Sequence, residues 1–235
     1  IINPVLAILI GVVITSVIAG LIGLVLSRVR GDYYMLVSVG FNFIALGVMM
    51  NWQSVTKGTI GIAGIPRPNI FGINFTTSLL FLIFSLIMLA LVYATSAFIS
   101  KSSFGRALKA IREDEKALEV FGYKIEHYKL AIFVIGACMA AIAGSLFAMH
   151  IRFVDPRSFT VMESVFILAI IILGGLASLR GSLLGAVILI LLPELLRFAG
   201  FPPSVSAQLR QVVYGILLVI FMLYRPKGLM GEYKL

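Results

Sequence analysis

The stretch VLAILIGVVITSVIAGLIGLVLS, residues 5–27, decides the fold class of this protein. It contains no charged residue, and roughly 20 apolar residues are enough for a helix to cross the hydrocarbon layer of a bilayer. Tyr33–Met50 and Phe75–Ile99 are also uncharged, and a fourth apolar stretch runs from Leu130 to His150. The sequence therefore predicts a helical protein that crosses the membrane several times.

Composition supports a membrane protein over a soluble one. Hydrophobic residues make up 60% of the 235-residue chain and charged residues only 12%, with a mean hydropathy of +1.09. A soluble domain carries about 25% charged residues. A soluble fold of this length would also expose too much surface to bury so many apolar residues in its core. The single cysteine, Cys138, excludes an intrachain disulfide and a multi-cysteine zinc site.

In the last third of the chain the apolar stretches are shorter and are interrupted by glycine, proline and polar residues. Further spans are predicted at Val161–Leu179, Ser182–Leu196 and Val205–Tyr224, joined by the short connections Arg180–Gly181 and Gly200–Ser204. The whole chain is thus predicted to be one all-α polytopic membrane domain, residues 1–235, with about seven transmembrane helices. Short connections predict that these last helices are neighbours.

The distribution of Lys and Arg predicts the orientation. If the loop from Lys101 to Lys129 is cytoplasmic, 13 basic residues lie inside and six outside, as the positive-inside rule requires. The carboxyl terminus is then cytoplasmic and the amino end external. The net charge of +9 follows from such basic loops and indicates no nucleic-acid partner. The prediction gives an odd number of spans and an external amino end, an awkward combination for a complete protein without a signal sequence. We therefore expect that at least one further amino-terminal span is missing from this chain.

The loop contains KSSFGRALKAIREDEKALEVFG, residues 101–122, which predicts one helix. Ser102 or Ser103 is a suitable N-cap, and Gly122 suits the left-handed position after the helix end. Apolar residues recur on one helical stripe: Leu108, Ile111, Leu118 and Phe121. Two interpretations remain open, an amphipathic hairpin on the membrane surface and a plug for a groove in another protein. The mixed charges of Arg112–Lys116 favour the protein partner, since anionic lipid attracts uniformly basic segments.

These residues also carry a resemblance to a known family. The segment FGRALKAIREDEKALEVFGYKIEHYKLAIFVIGACMAAIAGSLFA (104–148) resembles the cytoplasmic loop and following span of bacterial branched-chain amino-acid ABC importer permeases of the LivM type. DPRSFTVMESVFILAIIILGGLASLRGSLLGAVILILLPELLR (155–197), FMLYRPKGLMG (221–231) and GTIGIAGIPRP (58–68) resemble further segments of that family. Members usually carry additional amino-terminal spans, in agreement with the topology.

The resemblance implies that the loop, residues 101–127, is a coupling loop that docks in a cleft of an ATPase subunit. The polar coupling residues it implies are Arg106, Lys109, Arg112, Glu113, Asp114, Glu115 and Glu119. Ile111 and Leu118, from the apolar stripe, and Gly122, at the helix end, complete the predicted set. The partners implied are a second permease subunit, two ATPase subunits and a periplasmic or extracellular substrate-binding protein, assembled in the bacterial inner membrane.

The ATP chemistry is predicted to lie on those partner chains. No GxxxxGK[ST] sequence occurs in this chain, so it has no phosphate-cradling loop of that kind. We therefore expect no cofactor, metal or catalytic residue in this chain, with ATP and Mg²⁺ bound by the ATPase subunits.

The substrate pathway is less sharply predicted. Gly58, Gly61 and Gly64 recur every three residues near Thr56, and either a broken helix beside a cavity or an ordinary external loop explains them. Gly174 and Gly175 suit close helix packing or a re-entrant bend. The remaining candidates are polar residues near or within apolar runs, namely Asn42 and Glu163.

The resemblance implies branched-chain amino acids as substrates, and urea or short amides are the alternative. A carrier or channel that needs no ATPase is disfavoured because the chain has no convincing charge at mid-membrane. An intramembrane hydrolase is disfavoured because its only histidines, His127 and His150, lie at span ends, with no paired intramembrane Asp residues.

Overall fold

The computed structural model describes residues 4–29, 31–70, 73–74, 77–198, 215–216, 219 and 228–231. Contacts group the chain into two compact units, Ile1–Ser158 and Phe159–Leu235. That the chain acts as one permease domain stays a prediction. The helices of the first unit are α1 (Pro4–Leu26), α2 (Asp32–Asn51), α3 (Gln53–Thr56), α4 (Ser78–Lys101), α5 (Ser103–Glu113), α6 (Glu115–Val120) and α7 (Ile125–Ile151).

Short strands join the segments that follow α2 and α7. Strand β1 (Ile62–Ala63) pairs antiparallel with β4 (Phe153–Val154), and β2 (Asn69–Ile70) pairs with β3 (Ile73–Asn74). Single turns of 3-10 helix lie at Gly58–Ile60 and Pro156–Ser158. The predicted alternation of spans places the ends of the second and fourth spans on the same side of the membrane. Strands β1 and β4 follow those two ends, so their pairing agrees with the prediction.

Helices α1 and α7 pack against each other in opposite directions. Gly11 of α1 faces Ser145, and a Cβ added at Gly23 would lie 2.7 Å from Cδ1 of Leu130. The absence of a side chain at Gly23 therefore lets the two helices approach closely. Their antiparallel packing defines two ends of the first unit: the charged-loop end, which contains residues 101–129, and the opposite end, which contains β1 and β4.

The core of the first unit lies at the opposite end. Ile8, Phe81, Phe84 and Met149, from α1, α4 and α7, are buried together. The imidazole of His150 stacks on the Phe81 ring, with centroids 5.6 Å apart. His150 of α7 therefore packs as an aromatic ring against α4.

The second unit contains α8 (Val161–Gly174) and α9 (Leu179–Phe198). Ala169 and Leu173 of α8 are buried against Leu189 of α9, and Leu229 packs on the same cluster. Ser178 caps α9, because its Oγ accepts a hydrogen bond from the Gly181 backbone N–H at 3.0 Å.

The number of spans is not confirmed as seven. Among the described residues, five helices are long and apolar enough to cross a membrane: Val5–Leu26, Tyr33–Asn51, Ser78–Lys101, Ile125–Ile151 and Pro156–Gly174. Helix α9 has a shorter apolar part, Leu179–Leu191. The predicted seventh span, Val205–Tyr224, lies almost entirely outside the described residues.

One predicted boundary is wrong. The span expected to end at Leu179 ends at Gly174, because Gly175 adopts φ +111°, which an α-helix does not allow. The connection expected at Arg180–Gly181 is instead the first turn of α9.

Candidate functional site

The charged loop begins with a tight corner between α4 and α5. Oγ of Ser102 accepts a hydrogen bond from the Gly105 backbone N–H at 3.2 Å, so Ser102 is the N-cap of α5. Gly105 is buried, and a Cβ there would lie 2.6 Å from the Ser100 carbonyl oxygen. The corner therefore depends on one cap and on one residue without a side chain.

The prediction of a single helix across this loop is wrong, because the helix is interrupted at Asp114. This residue has φ −150° and ψ 100°, and it ends α5 and caps α6. Its Oδ1 accepts a hydrogen bond from the Ala117 backbone N–H at 3.0 Å. Short acidic side chains bond neighbouring backbone groups in this way and so compete with a continuing helix.

The predicted end of the loop helix is confirmed at Gly122, which has φ +82°. The backbone N–H of Gly122 donates to the Glu119 carbonyl at 3.0 Å, and that of Tyr123 donates to the Leu118 carbonyl at 3.1 Å. This pair of bonds is a Schellman motif, which satisfies carbonyls that the helix leaves unpaired.

The predicted apolar stripe points mainly into the protein itself. Ile111 is only 7% exposed, and Leu108 and Leu118 are half-buried. Phe121 does not belong to the packed stripe: it is 79% exposed, beside Val120 at 87%. Consequently Ile111 and Leu118 support the loop from within, and Val120 and Phe121 form its exposed apolar surface, named here the apolar tip.

Most of the predicted polar coupling residues are exposed. This group comprises Arg106, Lys109, Arg112, Glu113, Asp114 and Glu119. Arg112 forms a surface ion pair with Glu113 at 2.8 Å, an arrangement that contributes little to stability. These side chains lie at the surface, and their role in coupling stays a prediction.

Glu115 behaves differently from the other predicted coupling residues. Its Oε1 lies 2.7 Å from Nζ of Lys129, and the two side chains are only 33% and 31% exposed. Lys129 stands in the first turns of α7, so this pair, named here the Glu115–Lys129 bridge, joins α6 to α7. Sequence reasoning missed Lys129, because fourteen positions separate it from Glu115 and no local spacing brings them together.

Aromatic rings also attach the loop to α7. The ring of Phe104 stacks on that of Tyr128 at 5.4 Å, and Tyr123 lies 6.1 Å from Tyr128. Neither Phe104 nor Tyr128 was predicted as a site residue. Their contact brings the start of α5 and the start of α7 together.

A cavity of about 510 Å³ lies behind the bridge at the charged-loop end. It is lined by Glu115 and Lys129 together with residues from the end of α1, the start of α2 and α7, including Ser27, Tyr34 and Phe133. The walls are mostly apolar, and the ion pair supplies their charge.

The glycines predicted for the pathway have conformational roles at the opposite end. Gly58 and Gly61 have φ +60° and +75°, and a Cβ at Gly61 would lie 2.6 Å from the Val154 carbonyl oxygen. Gly64 has φ +79° with nothing within 4 Å of its Cβ position. Oγ1 of Thr56 donates to the Met49 and Trp52 carbonyls. These features suit an ordinary turn-rich loop, and a pathway role for Thr56, Gly58, Gly61 and Gly64 stays a prediction.

The two other polar candidates belong to helices of different units. Asn42 is half-buried in α2, and its Oδ1 finds no hydrogen-bond partner among the described residues. Glu163 is exposed in the first turn of α8, in the other unit. A pathway role for Asn42 and Glu163 stays a prediction.

Gly174 lies at a close contact between α8 and α9. A Cβ at Gly174 would lie 2.9 Å from the Ser182 backbone nitrogen, and a Cβ at Gly185 would lie 2.9 Å from the Gly174 nitrogen. Gly181 packs in the same seam. This geometry supports the helix-packing interpretation of Gly174, while Gly175 ends the helix.

Comparison with known proteins identifies a family. The family described as branched-chain amino acid transport system / permease component matches residues 1–222. The high-affinity branched-chain amino acid transport system permease protein LivM of Salmonella typhimurium is 34% identical over 92% of this chain and 55% of its own length. LivM of Escherichia coli K12 is 35% identical over 89% of this chain and 53% of its own length.

LivH of Escherichia coli K12, another high-affinity branched-chain amino acid transport system permease protein, is 31% identical over 78% of this chain and 60% of its own length. The chain spans about half the length of the LivM relatives it matches. No solved structure matches it.

Proposed function

The chain belongs to the family of permease components of branched-chain amino acid transport systems, and we propose that it works as the transmembrane permease subunit of an ABC importer. Its helices form part of the path for the amino acid, and separate ATPase subunits hydrolyse ATP. This chain binds no cofactor in the proposal, with ATP and Mg²⁺ held by those partners.

The observation that carries the proposal is the construction of the charged loop. Two short helices are held by a cap at each start, by the Schellman motif at Gly122 and by an inward apolar stripe. This loop presents the apolar tip, Val120 and Phe121, among exposed charged residues. Large apolar side chains surrounded by polar ones are typical anchors of protein interfaces.

In the proposed assembly, the charged-loop end faces the cytoplasm and the ATPase subunits. The opposite end, with the glycine-rich loop, faces a substrate-binding protein outside the cell. The excess of Lys and Arg on the charged-loop side supports this orientation. A second permease subunit completes the path, and the assembly lies in the bacterial inner membrane with the carboxyl terminus in the cytoplasm.

The proposed substrates are leucine, isoleucine and valine. The relatives are named as branched-chain amino acid permeases, which supports this class, and the scarcity of charge within the predicted spans suits a small zwitterion. The test is reconstitution of the full-length protein with its candidate ATPases and binding protein in liposomes. We expect ATP-dependent uptake of radiolabelled leucine. Uptake of urea but of no aliphatic amino acid would replace the substrate, and uptake driven by an ion gradient without ATP would refute the importer.

Docking through the apolar tip is tested by Phe121→Asp. Burying a carboxylate against an apolar surface of the partner is unfavourable. We therefore expect the affinity for the ATPase to fall at least about tenfold. Ile60→Asp is the matched control, since Ile60 is 81% exposed at the opposite end of the same unit. Copurification of the ATPase with the Phe121 variant at the wild-type level would contradict docking at the tip.

A further inference from the structure

We propose that the Glu115–Lys129 bridge transmits movement from the charged loop into α7. The inference rests on the proposed function of the loop as the docking element for an ATPase. The two charges are 2.7 Å apart, and about two-thirds of each side chain is covered. Partly buried charges are screened less than exposed ones, so these two charges attract each other more strongly than those of the surface pair Arg112–Glu113.

The break at Asp114 gives such a connection a role. Residues at the ends of helices absorb changes in φ and ψ, as hinges do. Leu118 packs α6 inward, and the bridge adds a charged attachment to α7 at Glu115, the first residue of α6. A displacement of α6 by a docked partner is then passed to α7 instead of being taken up entirely at Asp114 and Gly122.

Helix α7 is suited to carry the displacement across the first unit. It is continuous over 27 residues, a length of roughly 40 Å. Near its far end Met149 is buried in the core, and β4 follows directly and pairs with β1. A displacement at Lys129 therefore reaches the glycine-rich loop through a packed helix and a strand pair.

The cavity behind the bridge provides room for this movement. Closely packed interiors resist displacement, but the space between the start of α7 and the ends of α1 and α2 measures about 510 Å³. The pocket borders Lys129 and Glu115, while Leu130 and Phe133 remain packed against Gly23 of α1. The bridge side chains can therefore shift into this space while the contact between α1 and α7 is kept.

The loop has enough other contacts to remain folded without the bridge. The Ser102 and Asp114 caps and the Phe104–Tyr128 stacking do not involve Glu115 or Lys129. Neutralising Lys129 therefore tests transmission separately from loop folding.

The experiment uses the full-length protein coexpressed with its ATPase, second permease subunit and binding protein. For Lys129→Gln we expect normal copurification of the ATPase but leucine uptake reduced at least about fivefold, in the range of ordinary coupling energies. The double variant Glu115→Lys with Lys129→Glu restores the opposite charges and is expected to restore uptake. Glu126→Gln is the matched control, because Glu126 is an exposed carboxylate in the first turn of α7.

Each outcome decides a different claim. Normal uptake by Lys129→Gln overturns the bridge, and so does a well-folded charge-swapped variant that fails to restore uptake. Loss of ATPase copurification in Lys129→Gln places Lys129 in the docking surface and also overturns it. If the wild-type protein neither binds the ATPase nor supports ATP-dependent uptake, the proposed function itself fails.

Discussion

The backbone N–H of Leu229 donates to the carbonyl of Leu173 at 3.0 Å, and the next N–H, of Met230, donates to the Gly174 carbonyl at 3.0 Å. The last carbonyls of an α-helix have no partner within the helix. The turn at residues 228–230 therefore caps α8. It also brings the segment near the carboxyl terminus to the end of α8. Two predicted spans lie between these segments, and two spans return the chain to the same side of the membrane, so this contact agrees with the predicted topology.

Gly228→Ala is expected to destabilise the second unit by about 1–3 kcal/mol, the usual cost of a strained backbone position. Gly228 has φ +68°, and a Cβ there would lie 2.6 Å from the Ile172 carbonyl oxygen. The apparent unfolding temperature of the purified protein in detergent measures the effect. Gly215→Ala is the control, because nothing lies within 4 Å of its Cβ position; an equal loss in both variants would contradict the capping role.

Gly61→Ala is expected to cost more than Gly64→Ala by about 1–3 kcal/mol, the usual cost of overpacking. Both glycines have positive φ, +75° and +79°, so both variants carry a similar backbone penalty. Only the added methyl group at Gly61 meets Val154 and the Phe153 ring. Thermal unfolding of the two variants gives the difference, and equal stabilities would show that the packing of β1 on β4 is unimportant.

Asp114→Ala is expected to weaken α6 by about 1 kcal/mol through loss of its N-cap. Asp114→Asn keeps an acceptor oxygen for the Ala117 N–H and is expected to restore most of the stability. Hydrogen exchange of the amides of residues 117–120 measures the local change. Exchange that is unchanged in the Ala variant would mean that the break at Asp114 does not depend on this side chain.

Gly23→Ile is expected to separate α1 from α7 and to lower the unfolding temperature by several degrees, since overpacking costs about 1–3 kcal/mol. The Cβ position at Gly23 already meets Leu130 and Phe133. Gly20→Ile is the matched control on the same helix, because its Cβ position has nothing within 4 Å. Similar unfolding temperatures for the two variants would argue against close packing at Gly23.

Much of the fold could be predicted because its signals are local. The absence of charge from Val5 to Ser27 requires no knowledge of neighbours, and neither does the capping chemistry of Ser102 or the left-handed preference of Gly122. Hydrophobic patterning also marked Leu108, Ile111 and Leu118 correctly as covered apolar residues, although they lie on two helices. It did not show what these residues pack against.

The candidate site was less predictable because its contacts are not local. Glu115 and Glu119 are both acidic residues of one charged run, yet Glu115 pairs with Lys129 and Glu119 is exposed. Phe121 fits the helical stripe in spacing but is exposed, and it lies at the C-cap position where α6 has ended. The family resemblance implied coupling residues but did not separate those that face outward from those that face the protein.

Apolar length and absence of charge are properties of each segment alone, so they were enough to identify a helical membrane protein and to locate most of its apolar helices. Motifs along nearly the whole chain were enough to identify the family. The packing of the helices was needed to show that α1 runs antiparallel to α7, that Lys129 meets Glu115 and that Leu229 caps α8. Each of these relationships joins residues far apart in the chain, and its geometry depends on how the helices pack.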